Sequence, residues 1–137
     1  MRARLCGVRG STPAPGADFV YYGGHTSCVA IYRDGEELPS LILDAGTGIR
    51  EVTGLLGGEA FAGTILLTHL HWDHVQGLPF FAGGDRDDSH VRLILPEQED
   101  GADAVSVLAR AIAPPHFPVT PRQLRGSWSF QTLSLIH

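Results

Sequence analysis

Thr64-Ile65-Leu66-Leu67-Thr68-His69-Leu70-His71-Trp72-Asp73-His74 joins two signals in one segment. Thr64 to Thr68 form a continuous apolar run of the kind found in a strand buried on both faces. Three imidazoles and a carboxylate follow within six residues. Residues two apart in an extended segment project to the same side, so His69 and His71 are placed to grip one cation together. A turn or helix start at Asp73 then aims Asp73 and His74 at a second position nearby, a spacing that suits two metal ions. Nitrogen and carboxylate donors without thiolate suit Zn²⁺ first, with Mn²⁺ or Fe as alternatives. A solvated polar loop is the competing reading, and it leaves this density of ligand groups without a reason.

Other elements fall into place around that strand. Upstream, Arg2 to Val8, Cys28-Val29-Ala30-Ile31-Tyr32 and Ser40-Leu41-Ile42-Leu43-Asp44 read as strands. Arg33-Asp34-Gly35-Glu36 carries the Asp-Gly signature of a hairpin turn between the last two. Ile49-Arg50-Glu51-Val52 with Leu55-Leu56 has helical spacing and stops at Gly57-Gly58. The Pro- and Gly-rich segment from Gly10 through Gly16 to Gly23-Gly24 holds neither a helix nor a ladder. Downstream, Val91 to Leu95 is a strand, and Asp103 caps a helix whose Val105, Leu108 and Ile112 share a face before Pro114-Pro115. Trp128 to Ile136 is a strand again. The result is a mixed α/β chain without an internal repeat or a dividing linker, hence one domain, or part of one, over residues 1–137.

His-x-His-x-Asp-His after an apolar strand resembles the signature of the metallo-β-lactamase superfamily of metallohydrolases. The longer string Leu66 to Pro79 is similar to its phosphodiesterase and ribonuclease Z branch, as are Gly7-Val8-Arg9-Gly10-Ser11, Tyr22-Gly23-Gly24-His25-Thr26-Ser27-Cys28 and Leu43-Asp44-Ala45-Gly46-Thr47-Gly48. His25 stands where that family usually has asparagine. The resemblance implies an α/β fold, the N-terminal portion of an αββα four-layer sandwich with a dinuclear site at one edge. It implies that His69 and His71 bind the first of two divalent ions, and Asp73 and His74 the second. It assigns the third histidine of the first metal to a later strand, for which His137 is the candidate. It further implies hydrolysis of phosphodiester bonds by a metal-activated water that Asp73 both ligates toward and orients. The bridging aspartate and last histidine of the family lie beyond this sequence. The expectation is therefore that the chain alone holds at most one metal firmly and is a weak or inactive hydrolase. Thioester or lactone hydrolysis on the same fold, and a non-catalytic metal-binding module, are the alternatives.

Composition bounds the partners. With 137 residues and a formal net charge of −5, the chain lacks the basic footprint of a nucleic-acid binder, so a small anionic phosphodiester such as a cyclic nucleotide is favoured over RNA. No apolar run is long enough for a bilayer and the N-terminus does not read as a signal peptide, so a cytoplasmic location without membrane contact is expected. Exposed strands of a half-sandwich also make a homodimer an expectation. Cys6 and Cys28 read as two buried thiols. Three further positions bear on the site. Asp44 ends a strand near the histidine loop, where it either accepts a bond from a ligating imidazole or turns its own backbone. His116, in Pro114-Pro115-His116-Phe117-Pro118, is placed to border a substrate cleft. Trp72 either shields the site, stacks on a base or packs beneath.

Overall fold

The computed structural model describes residues 1–134. Six strands, β1 (Arg2–Gly7), β2 (Cys28–Tyr32), β3 (Leu41–Leu43), β4 (Ala62–Leu66), β5 (His90–Pro96) and β6 (Ser127–Leu133), form one sheet whose spatial order is the order of the sequence. β1, β2 and β3 are antiparallel neighbours. From β3 onward every pair is parallel, so each later strand is reached by a crossover. Those crossovers carry the α-helices α1 (Ile49–Leu55), α2 (Trp72–Val75) and α3 (Ala104–Ala109).

Period-2 alternation decides which face of the sheet is covered. Ala30, Ile42, Ile65 and Leu93 stand opposite one another across β2 to β5 and are fully buried. They meet Ile49 and Val52 of α1 and Ala104, Val107 and Leu108 of α3 in one continuous core. Phe61 and Phe81, both fully buried, close it with an edge contact at 5.4 Å between ring centroids. On the opposite face Leu5, Val29, Leu43, Leu66 and Ile94 form a register-matched apolar row across β1 to β5. Leu5 is 66% exposed and the other four are half-buried. β4 is thus covered on one face, which corrects the expectation of a strand buried on both. A run of consecutive apolar residues does not distinguish two covered faces from one covered and one half-covered.

The ends of α3 and β1 differ from the sequence reading for identifiable reasons. α3 has its Asp103 cap, with the side chain accepting from the Val105 and Ser106 N–H groups at 3.0 and 3.2 Å. Its buried face, however, is Ala104, Val107 and Leu108, and the helix ends at Ala109, so Ile112 is buried from the turn beyond it. β1 ends at Gly7 because the backbone of Thr26 lies against it. A Cβ at Gly7 would come 1.9 Å from the Thr26 carbonyl oxygen. Among the described residues no helix is long and apolar enough to cross a membrane.

Candidate metal centre

β4 delivers the chain into the site. The Leu67 N–H is bonded to Ile94 O on β5, and the next N–H, that of Thr68, turns away from the sheet to the Asp44 carboxylate at 2.8 Å. Residues 69–71 precede α2, where His71 is still extended (φ −59°, ψ 146°) and Trp72 begins the helical turn. The His69 and His71 rings lie beside each other, 4.6 Å between centroids. The turn of α2 brings His74 back to His69, at 3.9 Å. His69 therefore stands between the other two imidazoles. Asp73 is drawn into the same cluster, its Oδ2 3.5 Å from His74 Nε2. The separation into one histidine pair and one Asp-His pair, which the resemblance implies, is here a single group of four side chains.

Two anchors hold this group. The first is Asp44, in the left-handed backbone region (φ 61°) directly after β3 and almost fully buried. Asp and Asn tolerate that region better than most residues. Its carboxylate accepts from Thr68 N, Thr68 Oγ1 and Ser27 Oγ, and bonds His74 Nδ1 at 2.8 Å. Of the two roles weighed for Asp44, the geometry is that of a partner to a histidine ring. The second anchor is the backbone N–H of Ser11, which donates to Asp73 Oδ2 at 2.7 Å. That bond, foremost, together with the nearby histidines, holds the Asp73 carboxyl below the usual aspartate range.

The donor chemistry suits a divalent transition ion. His74 Nδ1 is engaged by Asp44 and His69 Nδ1 lies 3.1 Å from Thr68 Oγ1, so each ring has Nε2 to offer, and Asp73 supplies a carboxylate. Carboxylate-histidine pairs of this kind fix the ring orientation and tautomer of a metal ligand. Among the described residues, no three His, Cys, Asp or Glu groups already converge as a finished coordination shell. The three imidazoles pack ring against ring instead.

His137 lies outside the described residues. His116 is exposed in the turn after α3, and among the described residues no hydrogen bond or ring contact joins it to the histidines. Trp72 is 56% exposed, so it does not pack beneath the site. His25 bonds Thr47 Oγ1 through Nδ1 at 3.2 Å and lies 3.3 Å from Glu51 through Nε2. Sequence reasoning missed Thr68 and Ser27 as partners of Asp44. It also missed the Ser11 N–H, which belongs to the Gly10 to Gly16 segment read only as a loop. Among the described residues, Gln76 Nε2 is buried without an acceptor.

Behind the histidines, Thr26 and Thr47 lock two loops reciprocally. Thr26 Oγ1 accepts from the Thr47 N–H at 2.8 Å and Thr47 Oγ1 accepts from the Thr26 N–H at 2.9 Å. Thr26 is fully buried. Thr26→Val keeps the shape but strands the Thr47 N–H, and is expected to lower stability by about 2 kcal/mol in urea unfolding. A change under about 0.5 kcal/mol would show that water reaches that N–H.

No protein-family model and no curated protein matches the chain. Two solved structures are similar to it. A diphosphatase from the PhnP family is 20% identical with a TM-score of 0.44, over 82% of this chain and 38% of that one. The metallo-β-lactamase fold protein YhfI from Bacillus subtilis is 14% identical with a TM-score of 0.47, over 98% of this chain and 46% of that one. The second bears the fold named by the sequence resemblance. The chain spans less than half the length of either protein.

Proposed function

We propose that this chain carries the metal-binding part of a hydrolase that cleaves phosphodiesters, with His69, His71, His74 and Asp73 as the ligand set. The observation that carries the reading is the second tier. His74 is oriented by the buried Asp44 carboxylate and Asp73 by a backbone N–H from a distant loop, two fixed partners that a solvated loop does not need. A divalent ion bound there supplies a Lewis acid and a water acidified to a pKa of about 7. The residues of the chain do the rest. His69 and His71 offer imidazole nitrogens from the extended segment, and Asp44 keeps His74 in one tautomer. Asp73, held ionised, presents its carboxylate to the attacking water and orients it. The chemistry favours an anionic ester because the ions' positive charge locally outweighs the −5 of the chain. Zn²⁺ fits the donors first, with Mn²⁺ or Fe next.

Metal content is the test. The purified chain in metal-replete buffer is expected to retain at least one transition-metal ion, measured by elemental and native mass spectrometry. His69→Ala combined with His71→Ala should weaken retention by more than about 100-fold, beyond what loss of an outer partner costs. Equal metal content in parent and variant would remove these histidines from the site. Hydrolysis of bis-p-nitrophenyl phosphate against a thioester then distinguishes phosphodiester chemistry from the thioester reading.

A further inference from the structure

Outside the histidine loop, the structure brings the two cysteines of the chain together. The β1–β2 ladder pairs Leu5 with Val29 and Gly7 with Cys28, so Cys6 is the extra residue of a β-bulge facing Cys28. Cys6 packs against the core that holds Cys28, and its thiol donates to Arg4 O at 3.7 Å. A disulfide spans Cα atoms about 4.4–6.8 Å apart, a separation that neighbouring antiparallel strands provide. Exposure is asymmetric, since Cys6 is half-buried and Cys28 is fully buried.

We propose that Cys6 and Cys28 form an oxidisable dithiol that a peroxide converts to a disulfide, with Cys6 the attacking and Cys28 the resolving sulfur. The Cys6 thiol lies below its ordinary range, chiefly through the neighbouring Cys28 thiol, with a backbone bond at Ala30 and the Arg4 charge adding to this. Cys28 is pushed the other way by Cys6 and by burial, and keeps its proton until it attacks. In the first step the Cys6 thiolate attacks one peroxide oxygen. The O–O bond breaks, an S–O bond forms, and the departing alkoxide or hydroxide takes the thiol proton, leaving Cys6 sulfenic acid. In the second step Cys28 sulfur displaces hydroxide from Cys6, which leaves as water with the Cys28 proton. Two thiols and one peroxide thus become one disulfide, one alcohol or water, and one further water. β1 leads through Gly7 to Ser11, whose N–H holds Asp73, so the dithiol lies at the head of the segment that anchors the metal cluster.

The reduced chain, held in a chelator, is treated with hydrogen peroxide, alkylated and digested with trypsin, which cuts after Arg4, Arg9 and Arg33. The expected product is peptide 5–9 joined to peptide 10–33, with intact mass reduced by two hydrogen atoms. It should form about tenfold faster in the native chain than in urea. Cys28→Ser should stop at a sulfenic acid on Cys6 that dimedone traps, and Cys6→Ser should not react. Equal rates in native and unfolded chain, or native thiols that both remain alkylatable, would overturn the proposal. The comparison within the parent chain stands even if a variant fails to fold.

Discussion

Asp44→Ala is expected to destabilise the chain by roughly 2–4 kcal/mol, because several hydrogen bonds to one charged acceptor are lost together. The carboxylate gathers Thr68 N, Thr68 Oγ1, Ser27 Oγ and His74 Nδ1 at 2.8 to 3.1 Å. Alanine takes the shared acceptor from these part-buried groups and must itself occupy the left-handed backbone at φ 61°. Asn accepts that backbone more readily and keeps one acceptor oxygen, so Asp44→Asn should recover about half of the loss. Metal affinity should fall by about 10–100-fold in either variant, because His74 loses the partner that fixes its ring. Urea unfolding and metal titration of the three proteins separate the two effects. A loss under about 1 kcal/mol in Asp44→Ala would mean that the Thr68 and Ser27 groups reach water on their own.

Gly46→Ala carries the second large effect, this time through space. A Cβ there would lie 2.3 Å from Asp73 O, 2.4 Å from Thr26 Oγ1 and 2.8 Å from Ser27 O. Two of these are backbone atoms of separate segments, so no side chain can swing away to make room. The segment after β3, the turn of α2 and the start of β2 close on this one point, and Gly77 is pressed as tightly, its would-be Cβ 2.1 Å from Gly46 O. Overpacking of a close-packed site costs about 1–3 kcal/mol and more where backbone must move, so a loss of about 3 kcal/mol or a failure to fold is expected. Gly54→Ala is the control. It is exposed within α1 with nothing within 4 Å of its Cβ, and should stabilise by about 0.5–1 kcal/mol. Thermal unfolding of the two variants beside the parent checks both signs. A neutral Gly46→Ala would show that the loops separate at little cost.

What sequence reading reached was local. β2 was legible to the residue because Cys28 to Tyr32 is a short apolar run bounded by turn signals, and the hairpin after it because Gly35 supplies the positive φ its turn needs. The histidine loop was legible because its ligand groups are adjacent in the chain. Of its partners, Asp44 was read as one of two alternatives, and Ser11 was not read at all. Asp44 and Ser11 lie 30 and 62 residues from His74 and Asp73 respectively, and only the folded sheet brings them within bonding distance. The Ser11 contact uses a backbone N–H, which every residue but proline has, so no side chain announces it. The contact between Cys6 and Cys28 depends on a bulge, and a bulge leaves no mark in a periodicity of two. The end of α3 escaped because Val105, Leu108 and Ile112 fit a helical repeat whether or not the backbone stays helical that far.

The strand order of the sheet has a bearing on how the chain is made. Since each strand pairs with the one before it in the sequence, a growing chain leaving the ribosome always finds its next partner already synthesised. No early strand has to wait, edge exposed, for a segment translated much later, and neighbouring pairings keep loop closure short. Ser11, Asp44, Thr68 and the histidines all precede residue 75. The cluster's side chains and both of its anchors are therefore translated before the strand that covers Leu67, so vectorial synthesis supplies the site's parts first and its lining afterwards.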